Sequence, residues 1–416
     1  MANPFQLSQD EHEAIYREIE AHYLPKTQPQ EQPRAIITGG QPGSGKSGIT
    51  DLAKAELRNQ GGYILIDADK LRRESPLYDA AMAYDDRTAA NMTHPDAGAW
   101  AGRLTVAAAE GRRNLIIDQT SKDPDAVESL AMKLKDAGYT VELRVMAVHE
   151  KISELRIHSR YENQKAESGA GRFSTRDNHD IAYAGVASTV ERVEQNRSVD
   201  GLRIYDKNHQ VLKDNHLQAG EWANEPNAAR VMHTERNRPL TLDERRELTA
   251  GYEKLATMLA SPARQAQPEE RAHIEQLRTA AQQGLSSVQA KVAEFEETNR
   301  NYQNEDPGMD SIIRKGTLID AELRHEAYAS KAMSPDQIKE IAAKDLEDYS
   351  FLQGKPEQQK LAVLMGGMMG EPDYRSAIYE NPALDLDTSI AAATSIESQA
   401  EMTTTHDKTR DQGMEL

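Results

Sequence analysis

Ala35-Ile36-Ile37-Thr38-Gly39-Gly40-Gln41-Pro42-Gly43-Ser44-Gly45-Lys46-Ser47 is the stretch on which the fold turns. An apolar run leads into Gly-x-x-x-x-Gly-Lys-Ser, and helical patterning follows. Glycines let the backbone curl until successive N–H groups point at phosphate oxygens, and the next helix adds its positive N-terminal end. In this pattern Lys46 reaches the β- and γ-phosphates and Ser47 ligates Mg²⁺. ATP is therefore expected on Gly40, Gln41, Pro42, Gly43, Ser44, Gly45, Lys46 and Ser47. A dinucleotide fingerprint overlaps the same residues as Gly43-x-Gly45-x-x-Gly48. It fits less well, because its turn starts directly after the strand and here Gly39 to Pro42 intervene. It also gives Lys46-Ser47 no role.

Working outward, Arg34–Thr38, Tyr63–Asp67, Asn114–Asp118, Val141–Val148 and Leu202–Tyr205 read as strands. They are short and apolar, as strands covered on both faces are. Between them Lys46–Asn59, Asp96–Glu110, Pro124–Ala137 and Glu150–Asn163 carry helical periodicity. This alternation predicts an α/β fold: a P-loop kinase-like parallel sheet flanked by helices. Ser8-Gln9-Asp10-Glu11 is a capping box, so a helix is expected within 1–33, before the sheet domain at 34–218. After Asn215 the strand signals stop. Leu242–Leu259, Pro268–Asn299, Ser311–Ala332 and Pro335–Tyr349 read as helices of a C-terminal domain at 219–384, and Asp200–Pro239 as a last strand and a linker. The Thr/Ser/Ala-rich, acidic end at 385–416 is expected to be disordered.

The 416 residues are too many for one ordinary domain. A net charge of −18 argues against a generic nucleic-acid binder. With no cysteine, thiolate metal sites, disulfides and cysteine nucleophiles are excluded. Neither a signal peptide nor an apolar run of spanning length is legible, and the expected location is the bacterial cytoplasm, with export by a specialised secretion system left open.

Carboxylates at the C-terminal ends of strands face the ligand crevice of an open α/β sheet. Asp67 and Asp69 end the second strand. Either one can take a proton from an acceptor hydroxyl, or cap the next helix. Asp118 and Thr120 end the third, placed to bind substrate or a metal-bound water, or to cap the helix that opens at Pro124. Arg156, Arg160, Arg172 and Arg176 follow the fourth, and arginines stabilise the charge of a transferring phosphoryl group. Arg172 sits in Glu167–Phe173, a Gly-rich stretch suited to closing over a nucleotide.

Taken together, these pieces resemble the zeta toxin family of P-loop kinases over roughly 34–215. The matching stretches are Gly39–Ser47, Ile66-Asp67-Ala68-Asp69, Thr93-His94-Pro95-Asp96 with Trp100, Asn114–Thr120, Gly138-Tyr139, Val145–Val148, Arg160-Tyr161-Glu162, Arg172 before His179-Asp180, and Arg203–Asp206. The resemblance implies transfer of phosphate from ATP, with Mg²⁺, to the 3′-hydroxyl of UDP-N-acetylglucosamine, which blocks cell-wall precursor synthesis. It implies Asp69 as catalytic base, Lys46, Arg160 and Arg172 on the phosphates, and Asp69, Asp118, Thr120 and Lys122 on the substrate. The chain departs from the family where Asp118 replaces a sugar-contacting glutamate, Lys122 an arginine, and Gly102 a further glutamate. Lys122 loses the bidentate grip of arginine, so another nucleotide sugar or nucleotide stays open as acceptor.

The family's toxins are held by a small helical antitoxin. The resemblance therefore implies such a partner in trans, or the acidic helical half acting in cis. Two other readings stand beside it. One is a secreted or conjugation-associated effector kinase acting on another small molecule, with the helical half binding partners. The other is a P-loop module that binds nucleotide with little turnover. A cluster of Met365, Met368 and Met369 reads as packed core.

Overall fold

The computed structural model describes residues 3–305. The helices expected at Ser311–Ala332 and Pro335–Tyr349, the Met365–Met369 cluster and the 385–416 tail lie outside the described residues. Seven strands form one sheet: β1 (Arg34–Gly39), β2 (Ile64–Asp67), β3 (Leu115–Asp118), β4 (Thr140–Met146), β5 (Gly201–Tyr205), β6 (Val211–Gln218) and β7 (Glu221–Trp222), in the order β2-β3-β1-β4-β5-β6-β7. From β2 to β5 neighbours run parallel, and β6 and β7 are antiparallel.

The helices are α1 (Gln9–Tyr23), α2 (Lys46–Arg58), α3 (Ala68–Leu71), α4 (Tyr78–Tyr84), α5 (Ala89–Met92), α6 (His94–Glu110), α7 (Pro124–Asp136), α8 (Glu150–Ser168), α9 (Arg176–Asn196), α10 (Ala228–Asn237), α11 (Leu242–Ala260) and α12 (Pro268–Glu305). Local chemistry sets their ends. Ser8 and Glu11 close the capping box of α1. Asp123 caps α7 ahead of Pro124, and Gly169 ends α8 in the left-handed conformation at φ +79°.

The five parallel strands carry the core. Ile36, Ile37, Ile116, Leu143, Val145, Leu202 and Ile204 are buried completely or nearly so, each such side chain contributing about 1.5–3 kcal/mol. Two elements depart from the expected set. β6 and β7 extend the sheet where only one last strand and a linker were expected. β6 is an edge-side strand with a single buried residue, Asn215, so apolar patterning gives no sign of it. The long helix α9 was also not anticipated, since its polar residues outnumber its apolar ones.

The chain divides into two compact units, Met1–Asn237 with Ala250–Arg278, and Arg238–Thr249 with Thr279–Leu416. The first holds the sheet, and it also takes in α10, the second half of α11 and the start of α12. These lie within the span expected to form a separate helical domain. In the described part of the second unit, Arg238 grips Glu244 through two hydrogen bonds of 2.6 Å.

Candidate active site

Parallel register aligns the carboxyl ends of the central strands: Thr38 lies opposite Asp118 on one side of β3, and Asp67 opposite Asp118 on the other. The loop from β1 to α2 therefore opens beside two strand-terminal carboxylates, above a cleft of about 1090 Å³. Cationic side chains in that cleft, among them Lys46, Arg72, Arg156, Arg160 and Arg172, outnumber the acidic ones. The chain as a whole is acidic, so this local reversal marks an anion site.

The loop has the backbone that its sequence requires. Gly43 (φ +79°) and Gly45 (φ +84°) are left-handed, and Gly45 is the N-cap of α2. A Cβ on Gly43 would stand 2.0 Å from the Ser153 carbonyl oxygen. Gln41 anchors the loop from beneath, donating to the Val148 carbonyl at 2.8 Å and accepting from Arg236 Nη2 at 2.9 Å. The Ser44 hydroxyl is buried without a partner, a polar group directed at something the protein itself does not supply.

Lys46 pairs with Asp118, whose second oxygen accepts from Thr50 at 2.9 Å. Burial pulls the Lys46 pKa down to about 8, against the raising influence of Asp69 and Asp67. Asp118 thus lines the cleft, yet it is held beside the β1–α2 loop by Lys46 and Thr50. Thr120 is tied in by its backbone, its carbonyl accepting from Gly40 N–H at 3.0 Å. Lys122 also lines the cleft.

The two carboxylates read at the end of the second strand fall on different elements, Asp67 on β2 and Asp69 on α3. Asp67 caps α3, accepting from the Asp69 and Lys70 backbone N–H groups at 3.0 and 3.3 Å. Asp69, which lines the cleft as Asp67 does, has Arg72 at 2.7 Å on one oxygen and Arg172 on the other. Burial would raise its pKa, but Arg172, Arg72 and Lys46 outweigh burial and hold it below the usual carboxylate range. It is an ionised, proton-accepting group.

The arginines divide as well. Arg160 projects from α8 with Nε and Nη2 buried and unpartnered. Burial, then Arg172, lowers its pKa to about 10, so it stays charged at neutral pH. Arg156 and Arg172 line the cleft with it. Arg176 does not, being spent on Glu154 and Asp180 at 2.9 and 2.8 Å. Within Glu167–Phe173, the stretch expected to close over a nucleotide, two backbone groups are fastened: Gly171 N–H donates to Asp86 at 3.1 Å and Arg172 N–H to Gln164 at 2.8 Å. Asp86 in turn holds Lys165 at 2.9 Å.

Reading the sequence did not single out Arg72, His94 or Arg236 for the site. Arg72 follows Asp69 by one helical turn, and that spacing was the available signal. His94 lines the cleft, its pKa lowered by burial and then by Arg72. Its neighbours in the same motif are structural: Asp96 takes Leu7 N–H at 3.1 Å and His12 at 2.9 Å, and Trp100 stacks on His12.

A parallel sheet in the order 2-3-1-4-5 with a glycine loop over a cationic cleft defines a P-loop protein. Residues 20–218, a little under half of the chain, match the family model described as Zeta toxin, and this part of the chain is similar to the zeta toxin family. It is 27% identical over 184 residues to Toxin PezT of Streptococcus pneumoniae serotype 4, an alignment covering 44% of this chain and 72% of that one. It is 27% identical over 178 residues to Toxin zeta of Enterococcus hirae, where 42% of this chain meets 62% of the relative, a little under two thirds of its length. A solved structure from the characterization of the PezAT chromosomal toxin–antitoxin system of Streptococcus pneumoniae superimposes with a TM-score of 0.53 at 23% identity. It covers 62% of this chain and all of that one, a likeness of fold.

Proposed function

We propose that the protein is a kinase that transfers the γ-phosphate of ATP to a hydroxyl of a nucleotide sugar, with the 3′-hydroxyl of UDP-N-acetylglucosamine as first candidate, and so stops cell-wall precursor synthesis. The observation that carries this reading is the charged Arg160 guanidinium, whose Nε and Nη2 are buried and unpartnered in the same cleft as Lys46 and the Asp69–Arg172 pair. Burying an unpaired charge is costly. An anionic phosphate is the ligand that offsets that cost.

The residues divide the work. Backbone N–H groups of Gly43–Ser47, the Ser44 hydroxyl and Lys46 hold the phosphates. Ser47 at the start of α2, with Asp118 nearby, offers the oxygen donors that Mg²⁺ prefers. Mg²⁺, when bound there, neutralises charge on the β- and γ-phosphates. Arg172 exchanges Asp69 for the γ-phosphate, which frees a carboxylate oxygen at the acceptor. The acceptor oxygen then bonds to the γ-phosphorus as the bond from that phosphorus to the β–γ bridging oxygen breaks. Asp69 takes the hydroxyl proton, ADP leaves with the bridging oxygen, and Arg160 and Arg172 balance the charge spread over the equatorial oxygens. Arg72 keeps Asp69 aimed throughout.

A second reading concerns the acceptor. Asp118 is held by Lys46 and Thr50 and Lys122 stands where the family has arginine, which favours a related nucleotide sugar over the family's own. One experiment covers both. The protein is incubated with ATP, Mg²⁺ and a panel of nucleotide sugars, and mass spectrometry looks for one added phosphoryl group. Gain on UDP-N-acetylglucosamine supports the first reading and gain on another member the second, while no gain on any member removes both. As a toxin of this kind it would need restraint, by a helical antitoxin in trans or by its own C-terminal half.

A further inference from the structure

We propose that Glu154, His158 and His273 form a binding site for a divalent transition-metal ion of the zinc class, which clamps the start of α12 onto α8. The site needs neither ATP nor the kinase reading. One ligand atom from each residue lies within 4.8 Å of the other two. Glu154 and His158 are four residues apart on α8, so both point from one helical face. His273 comes from α12, beyond the part of the chain that matches the family, and its ring centroid lies 5.4 Å from that of His158. Metal–ligand bonds of about 2.0–2.1 Å place tetrahedral donors roughly 3.3 Å apart. The three side chains therefore close by about 1.5 Å, a rotamer adjustment open to His273 on the exposed side.

The frame for the site is built independently of any metal. Arg264, just before α12, grips Glu162 of α8 at 2.6 and 3.0 Å and Glu270 at 3.1 Å. Glu270 also takes Arg87 at 2.7 Å. These pairs fix α12 where His273 meets His158. Arg176 occupies only one oxygen of Glu154, at 2.9 Å, and a carboxylate keeps a second. Two imidazoles and one carboxylate suit zinc, not the all-oxygen preference of Mg²⁺, so this site is chemically separate from the phosphate end of the cleft. The fourth position is left to water. The His158 ring also lies 5.5 Å from that of Phe173, next to Arg172, so an occupied site would stiffen the loop that carries a phosphate-binding arginine.

The test uses the full chain, stripped of metal by a chelator and titrated with Co²⁺ while visible d–d absorption is followed. One equivalent should bind with a ligand-field spectrum that zinc abolishes. His273→Ala, an exposed change, should lower the affinity at least 100-fold, Glu154→Gln at least tenfold, and His216→Ala, exposed and outside the cluster, not at all. Zinc should raise the melting temperature of the natural chain and not of His273→Ala. Absence of a one-to-one cobalt spectrum, or an unchanged spectrum in His273→Ala, would overturn the site.

Discussion

At the scale of single residues, the cleft is organised by charges that burial has made expensive. Lys46 is the clearest case, because burial has moved its pKa down to about 8. It is cationic below that value and loses its charge as pH rises through it. Affinity for ATP should therefore fall by up to about tenfold between pH 7 and pH 9, as read by titration calorimetry. The Lys46→Ala protein, already weak, should show no such slope. The Asp69 pKa is also lowered, by Arg172 and Arg72, and for a carboxylate that direction keeps the charge, so it remains ionised across the neutral range. Asp69→Asn removes the proton acceptor but keeps the shape. Phosphoryl transfer should drop by about 10²–10⁴-fold with ATP binding nearly intact. A variant that still turned over normally would return the protein to the class of nucleotide-binding modules. The choice between Asp67 and Asp69 shows what the residues alone left open. Both read as the end of one strand with the same chemistry, and only the backbone path, which ends β2 at Asp67 and makes it the cap of the α3 that carries Asp69, separates them.

Among the elements, α10 has a role that its sequence does not advertise. Arg236 is buried, donates to the Tyr183 carbonyl at 2.6 Å and to Gln41 at 2.9 Å, and lies over the Tyr183 ring at 4.3 Å. Through Gln41 it positions the phosphate-binding loop from a helix beyond residue 218. Arg236→Ala leaves the Gln41 oxygen and the Tyr183 carbonyl without this donor, at a cost of about 2–3 kcal/mol in stability. It should also weaken ATP about tenfold through a loosened loop. Denaturant midpoints and ATP titration read the two effects. Arg236→Lys should recover only part of each, since an ammonium cannot span both acceptors with one planar fork. The contact joins residues 195 apart in the chain, and local pattern carries no trace of a pairing at that distance.

Across the whole molecule, the compact unit that contains the cleft does not stop where the sheet does. Ending the chain at Asn215 would divide β6 at its completely buried residue, and it would strip Arg264 from Glu162. A chain ending at Arg278 keeps the whole first unit. If the rest of the chain restrains the kinase in cis, this shortened protein should be more toxic to bacteria than the full chain at equal expression. Equal or lower toxicity would assign the remainder another role. The sequence by itself determined the alternating α/β order, the phosphate-binding loop and the cluster of candidate carboxylates and arginines. Each of those is written in short-range terms: apolar period, obligatory glycines, caps and residue type. Only the tertiary structure decided that Asp67 caps α3 while Asp69 pairs with Arg72 and Arg172, that Asp118 is held by Lys46, and that Arg176 is spent elsewhere. It alone brought Arg236, Arg264 and His273 from the helical half onto the sheet unit. Those outcomes depend on which distant groups share a buried space, where desolvation makes each charge find a partner. The spacing that announced Gly40–Ser47 has no counterpart for such pairings.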